Sequence, residues 1–290
     1  MKNFRIAEPQ SIQQVSALLS KDGEKVSLLA GGTDLLAEMK EGVIEPELVV
    51  DLSGIKELAF IKKDKNGVHI GVMTTLAYLA SDPAIHTDYP GLYEAALSVA
   101  SPQLRNVGTV GGNLCQRPRC WYYRDAKFVC RKKGGSQCFA SRGRNKYHAI
   151  FGGGICHIVY PSDLAPMLVA LDAEAVIVSP SGEKVLPLSE FYALPSKNVR
   201  RENILSPTEF LREIRIPPAK KRDKSTYLKL KERGTWDFAL ASAAVKATVA
   251  GGGFSNIKIV LGGVAPIPWR LEKVEQGLMK RKLNESLIKE

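Results

Sequence analysis

Apolar positions along the chain repeat with two different periods, and the places where the period changes mark its elements. Ser11-Ile12-Gln13-Gln14 has the form of a capping box and opens a helical apolar period that runs to Leu19. Val26-Ser27-Leu28-Leu29 then reads as a short strand, Leu35 to Lys40 as a helix and Leu48-Val49-Val50-Asp51-Leu52 as a buried strand, together one α/β unit. From Leu58 the pattern turns to strands, with Val68-His69-Ile70-Gly71-Val72 leading through Thr74-Thr75 into a helix that reaches Leu79. Gly91 to Ala100 suits a small-residue helix. Beyond a stretch without periodicity, Ile158-Val159-Tyr160 resumes as strand, Leu164 to Leu171 as an apolar helix, and Ala175 to Val178 as a strand ended by the turn Ser179-Pro180-Ser181-Gly182. Phe210 to Pro217, Tyr227 to Lys231 and Ile257 to Leu261 are predicted strands, with a charged loop from Lys220 to Lys224. Phe238 to Val249 is predicted as an alanine-rich helix closed by Gly251-Gly252-Gly253, and Leu283 to Glu290 is too polar to assign. The expectation is an α+β chain: subdomains over 1–57 and 58–180, the second interrupted by 115–156, and a C-terminal domain over 181–290.

Composition adds little until charge and cysteine are located. The 290 residues are 44% hydrophobic, enough for buried cores, and no stretch approaches the roughly 18 apolar residues of a membrane span. With no apolar signal core after Met1, the chain reads as cytoplasmic. The net charge of +11 is concentrated: Arg117 to Lys146 holds ten Lys or Arg against the single acid Asp125. All five cysteines fall between Cys115 and Cys156, too few and too clustered for a secreted disulfide framework. Trp121, Tyr122 and Tyr123 beside arginines raise the question of nucleic acid, where cations meet phosphate and rings stack on bases. No RNA- or DNA-binding motif accompanies them, and no nucleic-acid partner is expected.

Two glycine loops carry chemical content: Ala30-Gly31-Gly32-Thr33-Asp34 and Gly108-Thr109-Val110-Gly111-Gly112-Asn113. Paired glycines let backbone approach a ligand and let successive N–H groups converge on an anion. The short side chains of Thr33, Asp34, Thr109 and Asn113 suit ribityl or phosphate oxygens. Tight turns explain the same glycines equally well. Neither a dinucleotide G-x-G-x-x-G nor a P-loop is present.

Leu28 to Leu35 and Thr109-Val110-Gly111-Gly112-Asn113-Leu114 resemble, in order and spacing, the two FAD-binding loops of the medium subunits of the xanthine dehydrogenase and carbon monoxide dehydrogenase family of molybdenum hydroxylases. Gly71-Val72-Met73-Thr74-Thr75, Pro161-Ser162-Asp163-Leu164, Tyr227-Leu228-Lys229 and Asp237 to Ala241 extend the resemblance over nearly the whole chain. It implies a two-subdomain FAD-binding domain of p-cresol methylhydroxylase type, followed by a CO-dehydrogenase-flavoprotein-like C-terminal α+β domain that covers the flavin. Carried over as cofactor-binding are Leu28, Leu29, Ala30, Gly31, Gly32, Thr33, Asp34, Leu35, Thr74, Ala100, Thr109, Gly111, Gly112, Asn113 and Asp163. Leu211 and Lys229 are expected to approach the flavin from the C-terminal domain. The resemblance further implies an electron-transfer subunit without a catalytic side chain in a hetero-oligomer. Its partners would be a molybdopterin-binding large subunit and a [2Fe–2S] small subunit, with NAD or another external acceptor. A stand-alone flavin oxidoreductase of the same fold, such as the UDP-N-acetylenolpyruvoylglucosamine reductase type, and a basic zinc-stapled nucleic-acid-binding scaffold are the rival readings.

Cys120, Cys130, Cys138 and Cys156 are separated by nine, seven and seventeen residues, unlike the close pairs of zinc fingers or bacterial ferredoxins, so spacing alone names no metal. The insertion resembles those of the flavin subunits of 4-hydroxybenzoyl-CoA reductase and of a periplasmic aldehyde oxidoreductase, which implies a [4Fe–4S] cluster on these four thiolates. Tyr147 stands where the reductase pattern has a cysteine, and Cys156 replaces it as in the aldehyde oxidoreductase type. Arg119, Arg131, Lys132 and Lys133 would offset the cluster's negative charge. Cys115 competes with Cys120 as first ligand, and His148 and His157 flank the segment as alternatives. Free buried cysteines and a zinc staple remain open readings.

Overall fold

Ser11 is extended and its hydroxyl accepts from the Gln14 amide at 3.3 Å, so α1 (Ile12–Asp22) begins directly after this cap. The structure, a computed structural model, describes residues 1–250, 253–279, 281 and 286. The amphipathic α1 buries Ile12, Val15 and Leu19 in one core with Val50, Leu52 and Ile55. The first sheet is parallel, in the order β1 (Arg5–Ala7), β3 (Leu48–Asp51), β2 (Val26–Leu29), with Leu28 opposite Val50. A parallel neighbour needs a crossover, and α2 (Leu35–Lys40) lies on the one from β2 to β3.

The second unit begins with the hairpin of β4 (Ile61–Asp64) and β5 (Gly67–Gly71). A run of short helices follows: α3 (Leu76–Ser81), α4 (Pro83–Asp88), α5 (Pro90–Ser98), α6 (Pro102–Val107) and α7 (Val110–Cys115). Proline opens three of them, where a missing N–H costs nothing. The cysteine segment contributes α8 (Trp121–Arg124) and two single-turn 3-10 helices, Arg131–Lys133 and Phe139–Ser141. After α9 (Leu164–Ala170), in which every residue is buried, come β6 (Glu174–Ser179), β7 (Gly182–Pro187), α10 (Leu188–Phe191) and β8 (Phe210–Ile216). Their sheet is antiparallel, in the order β4-β5-β8-β6-β7.

The third unit is an antiparallel sheet in the order β12-β11-β10-β9, from β9 (Asp223–Leu230), β10 (Ala241–Ala250), β11 (Gly253–Gly262) and β12 (Trp269–Arg270), with α11 (Glu272–Leu278) packed on β11. Tyr227, Ala244 and Val260 share its inner face, which packs on α5 and α9.

Three expectations change. The boundary near residue 180 falls inside the β6–β7 hairpin: Ser179 pairs with Gly182, β8 joins the same sheet, and the C-terminal sheet starts at Asp223. A turn and a linker share the same residue types, and here the apolar strands on both sides pair with each other. The predicted helix from Phe238 to Val249 is instead a loop followed by β10. Alanine's helix preference is weaker than two ladders of cross-strand bonds, and small side chains at Ser242 and Ala244 let α9 approach closely. Pro166 of α9 lies so near that a Cβ on Gly262 would stand 2.8 Å from its Cγ. Of the glycines expected to close that helix, Gly253 begins β11, whereas Gly251 and Gly252 lie outside the described residues, as does nearly all of 283–290. Finally, Ile158 to Tyr160 forms no strand, and the Tyr160 amide bonds the Ala265 carbonyl across a loop.

Candidate functional site

The two glycine loops meet. Gly31 lies against the backbone that leads into the second loop, so that a Cβ there would stand 2.2 Å from the Val107 carbonyl oxygen. Gly111 sits on Val72, whose Cβ would stand 2.7 Å from an added Cβ, and Gly32 has φ +71°, the left-handed region that favours glycine. Gly112 differs: a Cβ there would meet Thr109 Oγ1 at 3.1 Å and Ala30 Cβ at 4.0 Å, within the space between the loops. Thr109 caps α7 by accepting from the Gly112 amide at 3.0 Å. Asp34, at the N-cap of α2, makes no side-chain cap. Asn113 accepts from Ser162 Oγ at 2.6 Å, and that oxygen accepts from the Ala165 amide, which ties the second loop to α9. Thr33 is exposed; Thr74 is buried and donates to the Phe60 carbonyl. Leu28 and Leu29 end β2, and Leu35 begins α2.

Asp34 turns its carboxylate into the cysteine segment, where it accepts from the Arg117 amide at 2.7 Å and from the Arg119 and Arg124 guanidiniums at 2.6 Å each. One turn along α2, buried Glu38 accepts from the Tyr123 hydroxyl at 2.6 Å, and that hydroxyl accepts from Arg117 Nε at 2.9 Å. Burial pushes the Glu38 carboxyl up, against the opposing effects of the Tyr123 bond and of Arg124 and Arg117. Arg117 continues to Glu202 at 2.7 Å, and Glu202 also takes the Lys132 ammonium. Sequence reasoning missed Glu38, Arg117, Tyr123 and Glu202 as a set; nothing local signals partners 70 or more residues apart in the chain.

Cys120, Cys130, Cys138 and Cys156 line one cavity, and with them His148, His157, Tyr122, Tyr123, Lys132 and Arg131. All are free thiols. Cys120 Sγ lies 3.2 Å from His148 Nε2 and Cys138 Sγ 3.6 Å from His157 Nδ1. The Cys138 thiol is pushed down, chiefly by a hydrogen bond from the Cys156 thiol and next by His157. Cys115 does not line this cavity; it packs beside Leu114, and burial pushes its thiol up to about 12. Tyr147 is exposed and donates to Glu232. Among the described residues no three His, Cys, Asp or Glu side chains stand close enough to hold a single metal ion.

Asp163, 4% exposed, accepts from Tyr227 at 2.7 Å and from Lys229 at 2.8 Å, joining α9 to β9. Burial pushes its carboxyl up and Lys229 opposes that shift. Lys229 also donates to the Ser98 carbonyl. Leu211 is buried in β8 of the second sheet, so it is not part of the C-terminal sheet where the sequence placed it. Ala100 has φ +46° and its carbonyl accepts from the amide of Trp236, itself at φ +51°. Left-handed backbone at two non-glycine positions is strain of the kind that collects at functional sites. The loop bearing Trp236 also sets the Phe238 ring 4.9 Å from the Arg119 guanidinium.

The family model of the FAD binding domain in molybdopterin dehydrogenase matches residues 2–219, and that of the CO dehydrogenase flavoprotein C-terminal domain matches 225–290. The break between them falls where β8 gives way to β9. The chain is 35% identical over 266 residues to the aldehyde oxidoreductase FAD-binding subunit PaoB of Escherichia coli K12, covering 91% of this chain and 82% of that one. It is 31% identical over 288 residues to the carbon monoxide dehydrogenase medium chain of Hydrogenophaga pseudoflava, covering 99% and 82%. The solved carbon monoxide dehydrogenase of Hydrogenophaga pseudoflava that lacks the Mo-pyranopterin moiety matches with a TM-score of 0.78 at 29% identity, covering 99% of this chain and 84% of that one. Among the described residues no helix is long and apolar enough to cross a membrane.

Proposed function

The chain belongs to the FAD-binding subunits of the molybdenum hydroxylases, and from that premise we propose that it is an electron-transfer subunit carrying a [4Fe–4S] cluster beside its flavin. One observation carries the reading: the glycine loops meet across a gap at Gly112 and Ala30, while Asp34 ties the first loop to the segment whose four cysteines line one cavity.

Both groups fit the residues present. Gly112 keeps the gap free of a side chain, Gly31, Gly32 and Gly111 let the loops pack closely around it, and α2 begins without a side-chain cap, so backbone amides remain to meet a diphosphate. Leu28, Leu29, Ala30, Thr33, Leu35, Thr74, Ala100, Thr109 and Asn113 complete the cofactor cradle. Asp163 and Lys229 close it from α9 and β9, and Leu211 supports it from behind. Four thiols line one cavity, the number of protein ligands that a four-iron cluster takes. Cys120 rather than Cys115 is then the first ligand. His148 and His157 orient Cys120 and Cys138 by hydrogen bonding.

A flavin held here would supply chemistry that can pass electrons singly or in pairs, which suits a station between one-electron iron–sulfur centres and a two-electron acceptor such as NAD. The protein's part is to bind, orient and exclude water; no side chain acts as acid or base. The remaining ligands of the reaction, a molybdopterin and two [2Fe–2S] centres, belong to a large and a small partner subunit in a hetero-oligomer. Anaerobic purification with flavin, iron and sulfide analysis tests this. About four irons per FAD, falling sharply in Cys130→Ser, is expected for a four-thiolate cluster. A folded preparation that takes up no FAD would end the reading, and zinc in place of iron would end the cluster.

A further inference from the structure

Lys132 follows Cys130 and precedes Gly134, whose φ of +94° turns the chain back. Its side chain points inward, 1% exposed, and lines the cavity with the four cysteines. The ammonium donates to one oxygen of Glu202, and the other oxygen takes Arg117 at 2.7 Å. Glu202 is 3% exposed and stands behind Lys132 instead of on the cavity wall. It arrives from a distant segment, fixed where its carbonyl accepts from the Ala193 amide at 2.9 Å. Lys132 therefore lines the cavity with its counter-charge set back from the wall, and two cations share one carboxylate.

Burying the Lys132–Glu202 ion pair is costly, and packed apolar side chains of similar volume would often stabilise the fold as well. An anionic occupant of the cavity gives the arrangement a use. We infer that Lys132 and Glu202 are a positioning pair that sets the reduction potential of the group held by the four cysteines. Lys132 favours the more negative, reduced form; Glu202 holds the ammonium in place and moderates its charge. The inference rests on the cluster reading above.

The test is a redox titration of the anaerobically isolated protein, followed by electron paramagnetic resonance, after iron and sulfide per FAD have been counted. Lys132→Arg should keep the wild-type potential. Lys132→Met should move it down and Glu202→Gln should move it up, and a double variant should lie below wild type but above Lys132→Met. A purely structural pair would not shift the potential in opposite directions. Shifts of the same sign, or none, at wild-type iron content overturn the inference. If either single variant loses iron, the double variant decides: it buries no unpaired lysine, and an unchanged or raised potential overturns the proposal. Iron-free wild-type protein would instead show that the cluster reading had failed, and this inference with it.

Discussion

The glycine loops and the cysteine segment lie side by side but are held by different forces. The loops are set by backbone shape: Gly31 against Val107, Gly111 against Val72, Gly32 in the left-handed region. The cysteine segment has one four-residue helix and two single turns, and is set by charge, with Arg117, Arg119, Arg124 and Lys132 on Asp34, Glu38 and Glu202. Shape tolerates no added atom, whereas charge tolerates no lost partner.

The most damaging way to probe that contrast is Gly31→Ala. Its Cβ meets a backbone carbonyl that no rotamer change can move, and a loss of about 3 kcal/mol is expected in chemical denaturation, together with loss of FAD. A variant as stable as wild type would mean that the loops are softer than this account allows. Asp34→Asn attacks the junction. It keeps an acceptor oxygen but removes the charge facing two guanidiniums, and about 2 kcal/mol should be lost. Flavin retention and iron retention should fall together; if one falls alone, the regions are independent.

Tyr123→Phe tests charge with almost no change of shape, and roughly 1–2 kcal/mol should follow from leaving Glu38 without its nearest donor. The effect has a sign in pH. Glu38 is already raised by burial and loses an interaction that lowers it, so its protonated form becomes still more favoured in the fold. A raised carboxyl contributes stability below its unfolded range and loses that contribution as pH climbs through the folded value, so the deficit should be wider at neutral than at acid pH. Urea midpoints at the two conditions measure it, and a deficit wider in acid would contradict the geometry. Gly112→Ala should do least to the fold, within about 0.5 kcal/mol, since its Cβ enters the gap and alanine suits a helix better. Flavin titration should nonetheless show weakened binding, because the gap itself narrows.

The same contrast explains what could be read from the sequence. Both loops were legible because a backbone requirement leaves glycine in the text, and α1, α2, α9 and most strands were legible because their apolar periods were unmixed. The β10 strand was misread because Ala243, Ala244 and Ala247 carry helix propensity, and the strands that overrule it lie elsewhere in the chain. The turn at Ser179 to Gly182 was legible as a turn, but the domain boundary expected beside it lies elsewhere, because Pro180 and Gly182 mark hairpin turns and domain ends alike. The four cysteines were visible as residues, yet Glu202 gave no sign of itself: a lone acid becomes informative when the fold brings Lys132 to it.

The bonds that converge on Asp34 also set a limit on protein engineering. The cysteine segment looks like an ornament to be trimmed back to a shorter connection between Gln116 and Tyr160. Trimming would strand two carboxylates, Asp34 of the first loop and Glu38 of α2, with the guanidiniums and the phenol that now bond them gone. Anyone shortening this subunit would have to redesign the first loop in the same step.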